Sequence, residues 1–297
     1  MGSARLRLRP ALALLASAFL ACGGEPGPLI LAATTSTYDS GLLERLVEAH
    51  ENARPGVAIR AVVTGSGEAL ELGRRGDADV LLVHAPDAET RFIAEGHADG
   101  RVPIMYNGFL LVGPPDDPAG IGGLDDPAEA FARIASLRAP FVSRGDSSGT
   151  HIRELAIWQE AVADLERGGW YLETGQGQGN SLLVASERAA YTLTDEATFA
   201  VLGPRLELEP WVQGHASLLN LYSALRPARG LRAEEAEAFI GWLSSDEGRK
   251  VIAAFEQGDP PRRLFHPFIL GHRLPIPGAH DLEDGSDAGP LSLAWTH

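Results

Sequence analysis

The 297-residue chain is poor in several residue types, and each scarcity closes a possibility. Its one cysteine, Cys22, excludes an intramolecular disulfide. Positive charge is also scarce: 25 Lys and Arg stand against 40 Asp and Glu, a formal net charge of −15. Such a balance argues against a nucleic-acid partner. It also means that any anion site must work through local dipoles and one or two cations, because the far field of the protein repels anions. Lys250 is the only lysine, which reflects arginine-rich composition rather than a site. The N-terminal apolar block, Ala11 to Leu20, is too short to span a bilayer. With 44% apolar and 22% charged residues, what is present is an ordinary soluble α/β composition, long enough for two lobes and a sizeable core.

The two ends differ from the rest. Arg5, Arg7 and Arg9, the block Ala11 to Leu20 and then Ala21-Cys22-Gly23-Gly24 have the layout of a secretory signal with a small residue before the cut. The position of Cys22 after Leu20-Ala21 resembles a bacterial lipoprotein box, with Phe19 where leucine is usual. On this reading 1–21 is a signal peptide and 22–28 a lipid-anchored linker, so the protein meets the membrane only through its anchor, in the periplasm or cell envelope. Cleavage leaves 22 basic against 40 acidic residues, a net charge near −18. The expected mobile tail covers 267–297, rich in Pro, Gly, Asp and His without a sustained period; His266, His272, His280 and His297 read as solvated rather than as a metal tract.

Between the ends, apolar runs alternate with amphipathic ones. Leu29 to Ala33, Val57 to Val63 and Ala78 to Val83 read as strands, each followed by a helix: Leu42 onward after a cap at Asp39 or Ser40, Glu68 to Arg75 closed by Gly76, and Pro86 to Glu95. His50 falls at the boundary of the first helical face. Three such units predict a parallel sheet whose ligands sit beyond the carboxyl ends of strands, where Thr34 to Thr37 and Thr64 to Gly67 lie. Met105 to Gly113 reads as a crossing segment into a second lobe, and Leu218 to Leu225 as the strand crossing back. The predicted division is therefore 29–107 with 218–266 as lobe I and 108–217 as lobe II. The run Gly175-Gln176-Gly177-Gln178-Gly179 lacks the rest of a dinucleotide fingerprint and has no suitably placed acidic partner.

One stretch concentrates polar chemistry. Ser143-Arg144-Gly145-Asp146-Ser147-Ser148-Gly149-Thr150-His151 lies between a strand, Ala139 to Val142, and a helix containing Leu155 to Trp158. Glycines free the turn, and the following helix start offers unpaired N–H groups and partial positive charge, an anion seat. The hydroxyls of Ser147, Ser148 and Thr150 and the guanidinium of Arg144 add donors suited to a tetrahedral oxyanion. Asp146 is expected to hold Arg144 rather than face the anion. The alternative is an ordinary capped helix start, since Ser, Thr, Asp and Gly are common there.

Arg144, Asp146, Ser148, Gly149 and Thr150 resemble the anion-binding turn of periplasmic phosphate-binding proteins. Together with Ala33 to Leu42, Glu68 to Val80, Trp170 to Gln178 and Tyr191 to Asp195, the turn resembles the tungstate-binding component of bacterial ABC importers, in the same order from about Leu29 to Phe265. That resemblance implies a hinged, two-lobed periplasmic-binding-protein fold of type II, each lobe a mostly parallel sheet flanked by helices. It implies a tungstate oxyanion as ligand, with molybdate as the alternative, no other cofactor and no metal bound by the chain directly. The implied site residues are Thr35, Ser36, Ser66, Arg144, Ser148, Gly149 and Thr150, with Thr34 and Ser147 as further members. The implied partner is an ABC permease, the protein acting as a monomer without catalysis; a sensor using the same captured-ligand lobe, or a phosphate- or sulfate-type receptor, is the alternative.

A hydrolase reading starts from Gly145 to Thr150, similar to the nucleophile turn of chymotrypsin-like proteases, with Ser147 as nucleophile. It lacks the β-barrel pattern and the Ala-Ala-His-Cys turn of that family. The donor count is informative in itself. No carboxylate lies between Thr34 and Thr37 or between Thr64 and Gly67, so the site should prefer a fully deprotonated dianion over hydrogen phosphate, which needs an acceptor.

Overall fold

The computed structural model describes residues 27–257 and 261–270. Cys22, the leader, His272, His280 and His297 lie outside the described residues. The chain begins with β1 (Leu29–Thr34), α1 (Thr35–Asp39), α2 (Leu42–Ala53), β2 (Ile59–Thr64), α3 (Ser66–Arg75), β3 (Val80–Val83) and α4 (Pro86–Ala94). The long strand β4 (Val102–Gly113) follows, then α5 (Pro127–Leu137), β5 (Phe141–Ser143), α6 (Gly149–Ala161), β6 (Tyr171–Glu173), α7 (Gln178–Glu187), β7 (Thr192–Asp195), α8 (Glu196–Leu202) and β8 (Glu209–Val212). It returns through β9 (Leu219–Leu225), α9 (Ala233–Ser244) and α10 (Asp246–Ala253), and ends in the short strands β10 (Glu256–Gln257), β11 (Arg262–Arg263) and β12 (His266–Pro267).

The apolar runs become central strands. β3 is buried along its whole length, as are all residues of β1 except Ile30. β1 pairs in parallel with β2 on one side and β3 on the other, as three successive strand–helix units require. Beyond β3 the pairing changes: β9 runs antiparallel to β3, β4 antiparallel to β9, and β12 antiparallel to β4. β4 also pairs antiparallel with β7 and β8, while β5 and β6 are parallel. The sheets are thus mixed rather than mostly parallel, because the two crossing strands run against the βαβ units they join.

β4 serves both halves of the molecule. Val102 to Gly108 pairs with β9, and Phe109 to Gly113 with β7 and β8. The core divides accordingly. One body gathers Leu29, Leu31, Leu46, Val80, Tyr222, Phe239 and Trp242; the other gathers Phe109, Phe131, Phe141, Trp158, Tyr191 and Val212. Ala197 and Ala200 of α8 pack with the first body although β7 and β8 on either side pair with the far end of β4, so α8 bridges the two. Buried Asp79 ties the first body internally, accepting from the backbone N–H of Ile30, Leu231 and Arg232.

Three local expectations change. The hydroxyl-rich stretch after β1 is not an open loop: Thr35 starts α1 at once, and Gly41, at φ 84°, precedes α2 in place of an Asp39 or Ser40 cap. His50 is buried rather than at a boundary, its ring edge-on to Phe239 and Trp242 with centroids 4.8 and 5.2 Å away. His266 and Pro267 belong to β12, opposite Tyr106 and Met105, so the ordered chain extends past the expected start of the tail at 267.

Candidate functional site

The carboxyl ends of β1, β2, β3 and β5 meet across the two halves. Thr34 ends β1, Ser66 opens α3 after β2, and the turn Arg144 to Ser148 joins β5 to α6. Contact between the halves is close. A Cβ on Gly65 would lie 3.5 Å from the Ser148 Cα, and one on Gly67 would lie 3.0 Å from the Ser147 carbonyl oxygen. At Gly149 a Cβ would fall 2.6 Å from both the carbonyl oxygen and the ring of His84. No real Cβ tolerates that distance from backbone, so only glycine lets the α6 N-terminus sit this close to the end of β3.

The wall on the first body is a cluster of neutral polar groups. Thr34 Oγ1 lies 3.1 Å from Ser36 Oγ, which is 3.0 Å from the Tyr222 hydroxyl and 3.5 Å from His84 Nε2. The Ser66 hydroxyl accepts from the His84 backbone N–H at 3.3 Å. His84 stacks on Tyr222 with centroids 4.6 Å apart. Its Nδ1 lies 2.7 Å from Asn220 Oδ1, and Asn220 Nδ2 donates to Asn107 Oδ1 at 2.8 Å and to the Tyr222 hydroxyl at 3.0 Å. Burial pushes His84 down to about 4, with nearby Arg144 acting in the same direction against the Asn220 hydrogen bond.

The opposite wall is built on charge. Arg144 is 2% exposed. Its guanidinium donates to Asp146 through Nη2 and to Gln178 Oε1 through Nη1 at 3.3 Å. Asp146 Oδ1 in turn accepts from the Ser148 N–H at 3.1 Å, so the carboxylate grips both the cation and the turn. The Ser148 hydroxyl caps α6 by accepting from the His151 N–H at 3.3 Å. Behind the turn, Glu154 accepts from the Tyr171 hydroxyl at 2.7 Å and from Trp158 Nε1 at 3.2 Å. Burial raises Glu154 to about 7, against the hydrogen bonds from Tyr171, Ser143, Trp158 and the Arg144 backbone. Asp195 is buried at the end of β7, where it accepts from the Thr198 N–H and hydroxyl at 2.9 and 2.6 Å. Burial pushes its pKa up, while those bonds and Arg144 oppose the shift.

Several buried polar side-chain atoms have no partner among the described residues, and two donors of this kind belong to the turn and the start of α6. Arg144 Nε and Thr150 Oγ1 are both buried and unbonded. A buried, unsatisfied donor costs about 1–3 kcal/mol, and two in one turn mark the place where an external acceptor would be held.

The candidate residues are not placed alike. Thr34, Ser36, Ser66 and Gly149 cluster around His84, Ser148 packs against Gly65, and Arg144 joins them through Asp146 and Ser148. Thr35 is half-buried and faces a cleft of about 640 Å³ that it shares with Tyr38, Asp39, Gly177 and Asn180. Ser147 sits at φ 57° with its side chain exposed; its N–H donates to His151 Nδ1 at 3.0 Å, and among the described residues no hydrogen bond reaches its hydroxyl. A serine nucleophile would need a base bonded at that hydroxyl. Exposed Glu68 accepts from the hydroxyl of half-buried Thr64.

His84, Asn107, Asp195, Asn220 and Tyr222 were not among the candidates. His84 follows β3 directly, the same strand-end position that singled out the Thr34 and Ser66 stretches, so that signal was available.

This arrangement has close counterparts. Residues 23–247 match the model of the PBP superfamily domain. The chain belongs to the PBP superfamily. Among members of the superfamily, the tungstate-binding protein TupA of Peptoclostridium acidaminophilum is 38% identical over 81% of this chain and 86% of its own. The solved tungstate ABC transporter structure from Geobacter sulfurreducens is 40% identical, with a TM-score of 0.69 over 77% of this chain and 98% of that one. The tungstate-binding TupA structure from Desulfovibrio alaskensis G20 is 37% identical, with a TM-score of 0.68 over 82% and 99%. The mixed α/β architecture described above is therefore that of a superfamily whose solved members include tungstate-binding proteins.

Proposed function

We propose that the protein is the extracytoplasmic receptor of an ABC importer and captures tungstate as a tetrahedral dianion for delivery to the permease. The observation that carries the reading is the occurrence of buried, unpartnered donors, Arg144 Nε and Thr150 Oγ1, in a turn and helix start that pack against Gly65, Gly67 and His84 across the cleft. Thr34, Thr35, Ser36, Ser66, Arg144, Ser148, Gly149 and Thr150 then form the binding set, and Ser147 contributes through the shape of its backbone. Charge-assisted hydrogen bonds contribute roughly 1.5–3 kcal/mol each, so six or seven give on the order of 10–20 kcal/mol gross. Closure and ordering subtract several kcal/mol, which leaves room for nanomolar affinity, near −12 kcal/mol.

Residues 29–107 with 218–266 and residues 108–217 act as two lobes that close on the anion, and no catalysis is involved. Calorimetry of ligand-stripped protein against tungstate, molybdate, sulfate and phosphate tests the reading. Tungstate should bind most tightly, and phosphate displacing tungstate at comparable concentration would refute it. Lipid attachment belongs to the same proposal: labelled palmitate should enter the wild type and not Cys22→Ser.

A further inference from the structure

The neutral wall has a polarity that follows from counting hydrogens. Asn107 and Asn220 are register partners on β4 and β9. Asn220 Nδ2 carries two hydrogens, and both are placed: one on Asn107 Oδ1 at 2.8 Å, the other on the Tyr222 hydroxyl at 3.0 Å. Asn220 Oδ1 therefore faces His84 Nδ1 at 2.7 Å as an acceptor, which makes Nδ1 the protonated nitrogen of a neutral ring. The Tyr222 oxygen, already accepting from Asn220, has its own hydrogen for Ser36 Oγ at 3.0 Å. Ser36 thus accepts from Tyr222 and keeps its single hydrogen to donate, with Thr34 Oγ1 at 3.1 Å and the unprotonated His84 Nε2 at 3.5 Å as its acceptors within the protein until an anion replaces them.

We propose that Asn220 and Tyr222 are positioning residues that fix Ser36 as a hydrogen-bond donor to the bound oxyanion, and thereby make the site discriminate against a protonated anion. The inference rests on the oxyanion reading above and deepens it. All three side chains are buried, at 1% exposure or less. The opposite polarity is well defined, since it needs both amides turned over. Asn220 Nδ2 would then donate to His84 Nδ1, protonated Nε2 would face Ser36, and the Ser36 hydrogen would turn to Tyr222. Ser36 would then present a lone pair and accept from a protonated anion. Asparagine orientation and histidine tautomer rise or fall together, so one measurement separates the two cases. The low pKa of His84, about 4, keeps the ring neutral across the working range.

Two measurements test this. Nitrogen-15 NMR of histidine-labelled wild-type protein reads the His84 tautomer without any variant; the Nδ1–H form is expected, and the Nε2–H form would overturn the proposal. Competition titrations of Tyr222→Phe with tungstate and with hydrogen phosphate at neutral pH read the consequence. Tungstate affinity should fall about tenfold, the scale of one hydrogen bond to a charged group, while hydrogen phosphate affinity changes much less, so the ratio narrows. Equal weakening for both anions would assign Tyr222 to packing alone and refute the proposal. Failure of the wild type to bind tungstate would instead refute the receptor reading, and the two failures are distinct.

Discussion

The two walls of the cleft hold comparable numbers of polar groups and handle charge in opposite ways. On the first body, hydroxyls are backed by a neutral imidazole, two amides and a phenol. On the second, one guanidinium is held by Asp146, with Asp195 near enough to act on it electrostatically and Glu154 bonded to the backbone of the same turn. An anion needs both. The cation supplies attraction in a protein whose net charge is −15, and Asp146 holds that cation in place. The neutral wall supplies donors without adding charge that would have to be desolvated on closure. Electrostatics thus comes from one side and donor geometry from the other.

The sharpest way to break this division is Arg144→Gln. It removes the only guanidinium in the turn and leaves Asp146 without its partner. Loss of about 3 kcal/mol or more is expected, at least a hundredfold in tungstate affinity by calorimetry. The circular dichroism spectrum should not change, and unchanged affinity would make Arg144 structural.

The walls should also respond to pH in opposite senses. His84 has its folded pKa lowered from 6.5 to about 4. Its contribution to stability is complete above pH 6.5 and is lost as pH falls toward 4. Glu154 has its folded pKa raised from 4.5 to about 7, so its contribution is complete below pH 4.5 and is lost as pH rises through 7. Each window spans up to about 3 kcal/mol. In urea titrations, Glu154→Gln should gain on the wild type as pH rises from 4.5 to 7, whereas His84→Gln should gain as pH falls from 6.5 to 4. Parallel trends in the two variants would end the comparison.

Gly149→Ala tests whether the walls must touch. Its Cβ meets the His84 backbone carbonyl at 2.6 Å, and overpacking of this kind costs about 1–3 kcal/mol. Small-angle scattering should show compaction on adding tungstate to the wild type and less in the variant. The smallest effects separate two hydroxyls of the same turn. Thr150→Val removes a buried donor without a protein partner, so ligand-free stability should rise by about 1 kcal/mol while affinity falls roughly tenfold. Ser147→Ala removes an exposed hydroxyl and should leave affinity within about twofold; a larger loss would return that hydroxyl to the site.

Much of this was readable along the chain where the signal is local. Strand-end positions pointed to the stretches Thr34 to Thr37 and Thr64 to Gly67, the donors of the Arg144 turn stood out by themselves, and the expected hold of Asp146 on Arg144 is seen. His84 obeyed the same positional rule but stands alone after an apolar strand, without the glycines and hydroxyls that drew attention to the others. Glu154 gave no signal, because a glutamate in an amphipathic helix ordinarily faces solvent; here Tyr171 and Trp158 enclose it.

By itself the sequence determined the alternation of strands and helices, the parallel direction of the first three strands and the anion-seat turn, because each follows from periodicity or from short-range connections, whereas the placing of β1 between β2 and β3 did not. Only the tertiary structure decided the neutral wall. Asn107 and Asn220 are 113 residues apart and meet only through the register of β4 on β9. Tyr222 reaches Ser36 across 186 residues, and His84 becomes neutral and oriented only once Asn220, Tyr222 and Gly149 enclose it. Hydrogen-bond polarity and desolvation belong to the surroundings of a side chain, and those surroundings exist only after the two halves of the chain have come together.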